Sequence, residues 1–381
     1  MGSITASQSV TAARERRYLA ELLAPAGIQL DGTRPWDITV RDERMCRRVL
    51  AEGSLGAGES YMDGWWDCAQ LDEMIARVLR ARLDGRLRSW RGAWNVLLAA
   101  LRNPQSERRA YEVGRRHYDI GNDLYERMLD RRMTYSCAYW RTATDLDTAQ
   151  EDKLDLVCRK LGLERGMRVL DIGSGWGGAA QFAAERYGVS VVGITVSKQQ
   201  AELARERCRG LPVEFILDDY RHLTGRFDRI WSLGMFEHVG YRNYRTYLDK
   251  VRELLAPDGL FLLHTIGSNV SHRTTDPWIE KYIFPNSMLP SMAQIARAAE
   301  PDWVVEDWHG FGVDYDRTLM SWSRNFDARW HEIANRYGER FRRMWHFYLR
   351  AAAGMFRARA NQLWQIVLSP NGLRGGYREV R

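Results

Sequence analysis

Residues 168–178 read RVLDIGSGWGG: a short apolar run ending at Asp171 and Ile172, then Gly173, Gly175, Gly177 and Gly178, then a helical pattern. An apolar run that stops at clustered glycines and resumes as a helix predicts strand, tight loop, helix. Around it the chain alternates short apolar runs with helical periods. Strands are predicted at 168–172, 190–194, 213–217, 228–233 and 259–264. Helices are predicted at 147–161, after 178, at 197–208 and at 241–255. That alternation is the signature of a parallel sheet with crossover helices, an α/β class with a Rossmann-like core. A polar, proline-containing stretch at 267–290 reads as a substrate-side insertion. Two long helical patterns, 314–337 and 340–358, precede a last strand at 362–368.

Glycines at the end of a first strand let the backbone approach a ligand closely, and open α/β sheets bind ligands at the carboxyl ends of their strands. The spacing here is GxGxGG, not the GxGxxG dinucleotide fingerprint. The acid that would hold a ribose about 20 residues further on is also missing, since 193–200 reads GITVSKQQ. A nicotinamide dinucleotide therefore loses its anchor, whereas Thr195, Gln199 and Gln200 offer neutral hydrogen bonds to an adenosyl group. Trp176 is placed to cover a flat ligand.

Upstream, 17–100 reads as short helices and a strand around 36–40, with glycine punctuation in EGSLGAGESYMDGWWDC (52–68). The expected domains are a small, mostly helical one at 1–101, a polar linker at 102–116 and an α/β one at 117–381. The first sixteen residues lack the apolar core of a secretory signal and read as a loose polar tail. Five widely spaced cysteines without a CxxC pair fit reduced thiols and a cytoplasmic setting. With 45% apolar and 28% charged residues the chain is in the ordinary globular range. Its longest apolar runs, such as 96–101, fall short of the ~18 residues that span a bilayer.

The net charge of +7 is unevenly placed. From Arg77 to Arg116 eleven arginines face three acids, a net of +8, which leaves the rest near −1. Such a block attracts a polyanion, either nucleic acid phosphate or an anionic phospholipid surface. Inside it Trp90, Trp94, Leu97, Leu98 and Leu101 recur at helical spacing between arginines. That stripe suits a headgroup boundary, and it equally suits a helix packing inward.

Several long motifs resemble the cyclopropane-fatty-acyl-phospholipid synthases, S-adenosylmethionine-dependent enzymes related to the mycolic acid cyclopropane synthases. They are the 52–68 motif, HYDIGNDLY (117–125), YSCAYW (135–140), VLDIGSGWGG, VVGITVSKQQ, GMFEHVG (234–240), LLHTIGS (262–268), KYIFPN (281–286) and FGVDYDRTL (311–319). The resemblance implies methylene transfer from S-adenosylmethionine to the cis double bond of an acyl chain still in a phospholipid. It implies cofactor binding by Tyr135 and Ser136, and by the loop from Leu170 and Asp171 through Gly173, Ser174, Gly175, Trp176, Gly177 and Gly178. Thr195, Ser197, Gln199 and Gln200 join them, with Asp219, Tyr220 and Arg221 after the third strand.

Methyl transfer to an alkene leaves a carbocation, and ring closure then requires a base. The resemblance implies a bound bicarbonate ion for that step, held by Glu237, His264, Tyr315 and the backbones of Cys137 and Ile266. His264 and Glu237 lie where α/β sheets bind ligands; Tyr315 can also cap the helix that follows it, and His238 reads as structural. No metal ligand set is expected. Some relatives carry a cysteine where AAAGMFR puts Ala352 here, so a thiol mechanism through that position is impossible. A homodimer, docked peripherally on the inner face of the membrane, is further implied. The alternatives are a fatty acid methyltransferase giving a methyl-branched product, a nucleic-acid methyltransferase using the arginines on phosphates, and a cofactor-binding protein without turnover.

Overall fold

A computed structural model describes residues 2–83 and 121–381. The tryptophan stripe, the 102–116 linker and all of the basic block beyond Arg82 lie outside the described residues. The chain forms two compact units.

The first comprises Met1–Arg102, Asp276–Pro285 and Trp322–Ala360. Helix α1 (Gly2–Leu23) replaces the loose tail expected at 1–16. Its alanines, arginines and glutamates are strong helix formers, and Leu19 and Leu23 bury at its far end. Then come α2 (Arg44–Glu52), α3 (Ser54–Met62) and α4 (Leu71–Arg80), with a two-residue antiparallel ladder, β1 (Thr39–Val40) to β2 (Trp66–Asp67).

The expected single span 117–381 is corrected here: 276–285 and 322–360 group with the N-terminal residues. Packing explains it. Helix Ala334–Arg357 approaches α4 so closely that a Cβ on Gly354 would lie 2.4 Å from the Asp72 carbonyl oxygen. Arg343 on that helix donates to the carbonyls of Tyr61 and Trp66 and to Asp67. From 276–285, Trp278 lies against Gly58, where a Cβ would sit 2.3 Å from its ring. Buried Glu59 accepts from Lys281 at 2.5 Å, from Tyr282 at 2.8 Å and from Arg48. The insertion read at 267–290 therefore supplies part of this unit's core.

The second unit comprises Asn103–Thr275, Asn286–Ser321 and Asn361–Arg381. In chain order it carries α5 (Asn122–Met128), α6 (Leu146–Lys160), β3 (Arg168–Ile172), α7 (Gly178–Tyr187), β4 (Ser190–Thr195), α8 (Lys198–Arg207), β5 (Val213–Leu217) and β6 (Phe227–Leu233). It continues with α9 (Tyr244–Leu254), β7 (Leu255–Ser268), α10 (Met292–Ala299), β8 (Val304–Gly310), the start of α11 (Val313–Arg329) and β9 (Asn361–Ser369). The seven strands are ordered β5-β4-β3-β6-β7-β9-β8. The first five run parallel, and β9 is antiparallel to β7 and β8.

Strand residues alternate between two cores. Leu170, Ile172, Val192 and Ile194 bury on one face, Val169 and Val191 on the other, against Leu154 and Val157 of α6. Asp145 caps α6 by accepting from Thr148, and Ser291 with Gln294 forms a capping box on α10. Strand β8 is absent from the sequence reading. It is an edge strand with exposed Val304 and Val305 and a bulge before Asp307, so its alternation is broken. The sheet order reverses between β3 and β6, which places a crevice at their carboxyl ends.

Candidate active site

A cavity in the second unit occupies that crevice. At the end of β3 the backbone turns through Gly173 (φ 87°), Gly175 (φ 51°) and Gly177 (φ 81°), a left-handed region that glycine enters without strain. The N–H groups of Gly173 and Ser174 donate to the Ile194 carbonyl at 2.9 and 3.0 Å, pinning the loop to β4. A Cβ on Gly173 would lie 2.7 Å from Met235 Cβ, and one on Gly178 2.2 Å from the Arg132 carbonyl oxygen. Both glycines are required by close approach.

Of the predicted cofactor residues, Tyr135, Ser136, Asp171, Gly173, Ser174 and Gly175 line the cavity, as do Trp176, Gly178, Thr195, Gln200, Asp219 and Tyr220. Leu170 points into the core instead, Gly177 packs against Phe215, and Ser197 caps α8 by accepting from Gln200 N. Gln199 is also outside the lining. Thr195 Oγ1 donates to Gln200 Oε1 at 2.9 Å, so two lining side chains orient each other. Asp219 is fixed by both Nε and Nη2 of Arg221 at 2.8 Å. Asp171 is wholly buried, burial pushes its carboxyl up to about 7, and its Oδ2 has no partner among the described residues.

Sequence reasoning missed much of the wall. Asn286, Asn243, Val239 and Met235 line the cavity, and so does His238, read above as structural. Behind the wall, Asn122 accepts from Trp176 Nε1 at 2.9 Å, and the Tyr125 ring stands 4.7 Å from Trp176 and 5.2 Å from Tyr135. The NDLY end of the 117–125 motif thus holds the aromatic side of the cavity; 117–120 lie outside the described residues. Buried Lys153 on α6 donates to Ser136 Oγ at 3.0 Å.

None of the five predicted catalytic residues lines this cavity, but Glu237 lies between lining residues Met235 and His238. Its Oε1 accepts from the Ile266 N–H at 2.7 Å, and its Oε2 is buried with no partner among the described residues. Burial pushes this carboxyl up to about 7. His264, on β7, accepts at Nδ1 from Gln365 Nε2 at 3.3 Å, which leaves the ring proton on a buried, unpartnered Nε2. Burial drives its pKa well down, so the imidazole is neutral. The Cys137 thiol is fully buried and its pKa is driven well up, which makes it inert. The neighbouring Ala138 N–H donates to Thr318 Oγ1 at 3.1 Å, one turn along α11 from buried Tyr315. The structure thus joins Glu237 to Ile266 directly and gives Cys137 and Tyr315 a shared neighbour in Thr318. Among the described residues no group of three or more His, Cys, Asp or Glu is placed to hold a metal ion.

The family model described as mycolic acid cyclopropane synthetase matches residues 105–366. The chain belongs to that family. It is 55% identical over 366 residues to the cyclopropane-fatty-acyl-phospholipid synthase of Escherichia coli (strain K12), covering 96% of each chain. It is 41% identical over 265 residues to a probable fatty acid methyltransferase of Pseudomonas putida, covering 66% of this chain and 67% of that one. The solved mycolic acid cyclopropane synthase CmaA1, complexed with SAH and CTAB, superposes with a TM-score of 0.63 at 33% identity. It covers 68% of this chain and 97% of its own. The protein is an S-adenosylmethionine-dependent enzyme of this family with the Rossmann-like methyltransferase fold.

Proposed function

We propose that the protein adds a methylene group from S-adenosylmethionine across the cis double bond of acyl chains carried by membrane phospholipids, forming cyclopropanes. The observation that carries this reading is a pair of buried, half-satisfied groups in a chain of this family: Glu237, flanked by residues that line a glycine-cradled cavity, and His264, whose carbonyl accepts from the N–H of lining residue Gly234 at 2.9 Å. The cofactor, when bound, supplies an electrophilic methyl on a sulfonium. The cavity residues suit it: Gly173, Gly175 and Gly178 line it without a Cβ, Asp171 and Asp219 offer carboxyl oxygens to amino and hydroxyl groups, and Trp176 gives a flat wall.

What this chain contributes is alignment and dryness. An alkene is a weak nucleophile, so the rate depends on holding it in line with the methyl, and a carbocation survives only where water is excluded. Bicarbonate would supply the base. Glu237 Oε2 and His264 Nε2 are the unpartnered atoms that would hold it, with Tyr315 and the Cys137 and Ile266 backbones around them. A carboxyl titrating near 7 can donate to an anion where an ordinary glutamate would repel it. The Ile266 N–H already serves Glu237, so it acts by orienting that carboxyl.

The same reading extends to partners. In this reading the +8 block favours attachment to anionic phospholipid at the inner face of the membrane, and a homodimer would strengthen it by doubling the basic charge. No helix among the described residues is long and apolar enough to cross a membrane. Incubation with S-adenosylmethionine and vesicles of unsaturated phospholipid, read by mass spectrometry and proton NMR, is expected to show gain of one CH2 with loss of the olefin. A methyl-branched product would favour the fatty acid methyltransferase reading instead. Vesicle flotation against an RNA gel shift tests the use of the basic block.

A further inference from the structure

Lys153 has a fully buried side chain on α6. An ammonium taken out of water costs several kcal/mol unless it is paired and hydrogen-bonded. Among the described residues it makes no ion pair; its hydrogen bond is to Ser136 Oγ at 3.0 Å. The acids that act on it do so through space. Asp130 is occupied by the N–H groups of Arg132 and Thr134 and by the Thr134 hydroxyl, while Asp171 sits at the end of β3. Gln150 on the same helix donates to the carbonyls of Thr134 and Ser136 at 3.2 and 2.9 Å, so α6 grips the 134–136 segment from beneath. Ser136 lines the cavity. Because its oxygen accepts from Lys153, its own proton is left to donate elsewhere.

We infer that Lys153 is a positioning residue for the carboxylate of the bound cofactor: through Ser136 it presents a polarised hydroxyl, backed by an unpaired cation, at one end of the cavity. The inference rests on the reading that this cavity takes S-adenosylmethionine. That molecule has one anionic group, its methionyl carboxylate, and an uncompensated buried cation is stabilised by the arrival of that group more than by any other part of the ligand. Lys153 would thereby set which way round the ligand lies. Burial holds the ammonium down to about 8, so its charge is removable within the range where the protein can be studied.

The test is calorimetric binding of S-adenosylhomocysteine and of its decarboxylated analogue to the full-length protein, its Lys153→Met variant and a Ser136→Ala variant. Near pH 7 the parent is expected to prefer the carboxylate-bearing ligand by on the order of ten- to a hundredfold, the span of a hydrogen bond to a charged group. Lys153→Met should erase most of that preference while leaving the analogue's affinity in place, and Ser136→Ala should do so in part. In the parent the preference should fall as pH rises through about 8, and it should stay flat in Lys153→Met. Asp130, Asp171, Cys137 and Cys158 are the titratable groups acting on Lys153, and they are common to both chains, so the difference isolates the lysine. Equal weakening of both ligands by Lys153→Met would mean a purely structural lysine and overturn the inference. So would a parent preference unchanged across pH 7 to 9, a measurement that needs no variant to fold. A parent that binds neither ligand would instead sink the cavity reading itself.

Discussion

The Glu237 carboxyl accepts the Ile266 N–H at 2.7 Å, so the turn after β6 is tied to the far end of β7 by one buried side chain. The bond uses Oε1 and leaves Oε2 inside the protein without a partner among the described residues. Such half-satisfaction is costly in a merely structural carboxyl and useful in one that meets a ligand. Glu237→Ala and His264→Ala are expected to slow turnover by on the order of a hundredfold or more. Binding of S-adenosylhomocysteine should hardly change; a main effect on that binding would place both residues in the cofactor site instead.

Glu237 and Asp171 also bear on stability against pH. Each has a folded pKa near 7, above its unfolded value, so the native state holds these protons longer than the unfolded chain. Their contribution is full below the unfolded carboxylate range and is lost as pH rises through about 7. Melting temperature, followed from pH 5 to 8, should decline less steeply in Glu237→Gln than in the parent.

His264 should show no titration across the neutral range. Burial keeps its imidazole neutral, with Lys153 and Lys160 adding to the effect. An NMR titration of the His264 ring carbon should stay flat from about pH 5 to 8, where an ordinary histidine inflects. An inflection near neutrality would mean that the ring is solvated and cannot sit in a dry site.

All five cysteines are free and buried. A thiol reagent should therefore find almost nothing in the native protein and all five after denaturation. Cys137→Ala should cost about 1 kcal/mol of stability and leave the reaction intact. Loss of turnover with an unchanged fold would restore a role for the thiol.

Gly173→Ala should weaken cofactor binding by on the order of ten- to a hundredfold. The residue sits at φ 87°, and an added Cβ would meet Met235 at 2.7 Å. Strain and overlap together are worth about 1–3 kcal/mol, and relief would come by moving the loop off the cavity. Calorimetry with S-adenosylhomocysteine checks this, with Gly175→Ala as the comparison: it shares the positive-φ strain (φ 51°) but nothing lies within 4 Å of its added Cβ, so the smaller loss expected there isolates the overlap.

The parallel sheet was legible because its central strands are buried on both faces and its loops are marked by glycine; every predicted parallel strand lies within two residues of its observed start except β7, which begins at Leu255 instead of 259. The cavity loop was legible for the same reason. What escaped is what pattern cannot carry. Lys153 in EDKLDLVCRK looks like an ordinary solvated helix residue, because nothing local says that this face turns inward onto Ser136. Asn286 and Asn243 reach the cavity from distant parts of the chain. Strand β8 spends its inward Asp307 on Lys160 at 2.9 Å and on Arg381, so a core position carries a charge and the apolar rhythm vanishes.

The stretch around Trp278 and the long helix ending at Arg357 belong to the same unit as the first hundred residues. During synthesis that unit cannot close until residue 360 has left the ribosome, long after the strands of the other have begun to emerge. A gene fragment stopping near position 102 would encode a body missing its last walls: Gly58 without Trp278, and α4 without the helix that covers it. Truncations meant to isolate an N-terminal module should accordingly yield protease-sensitive, aggregation-prone material.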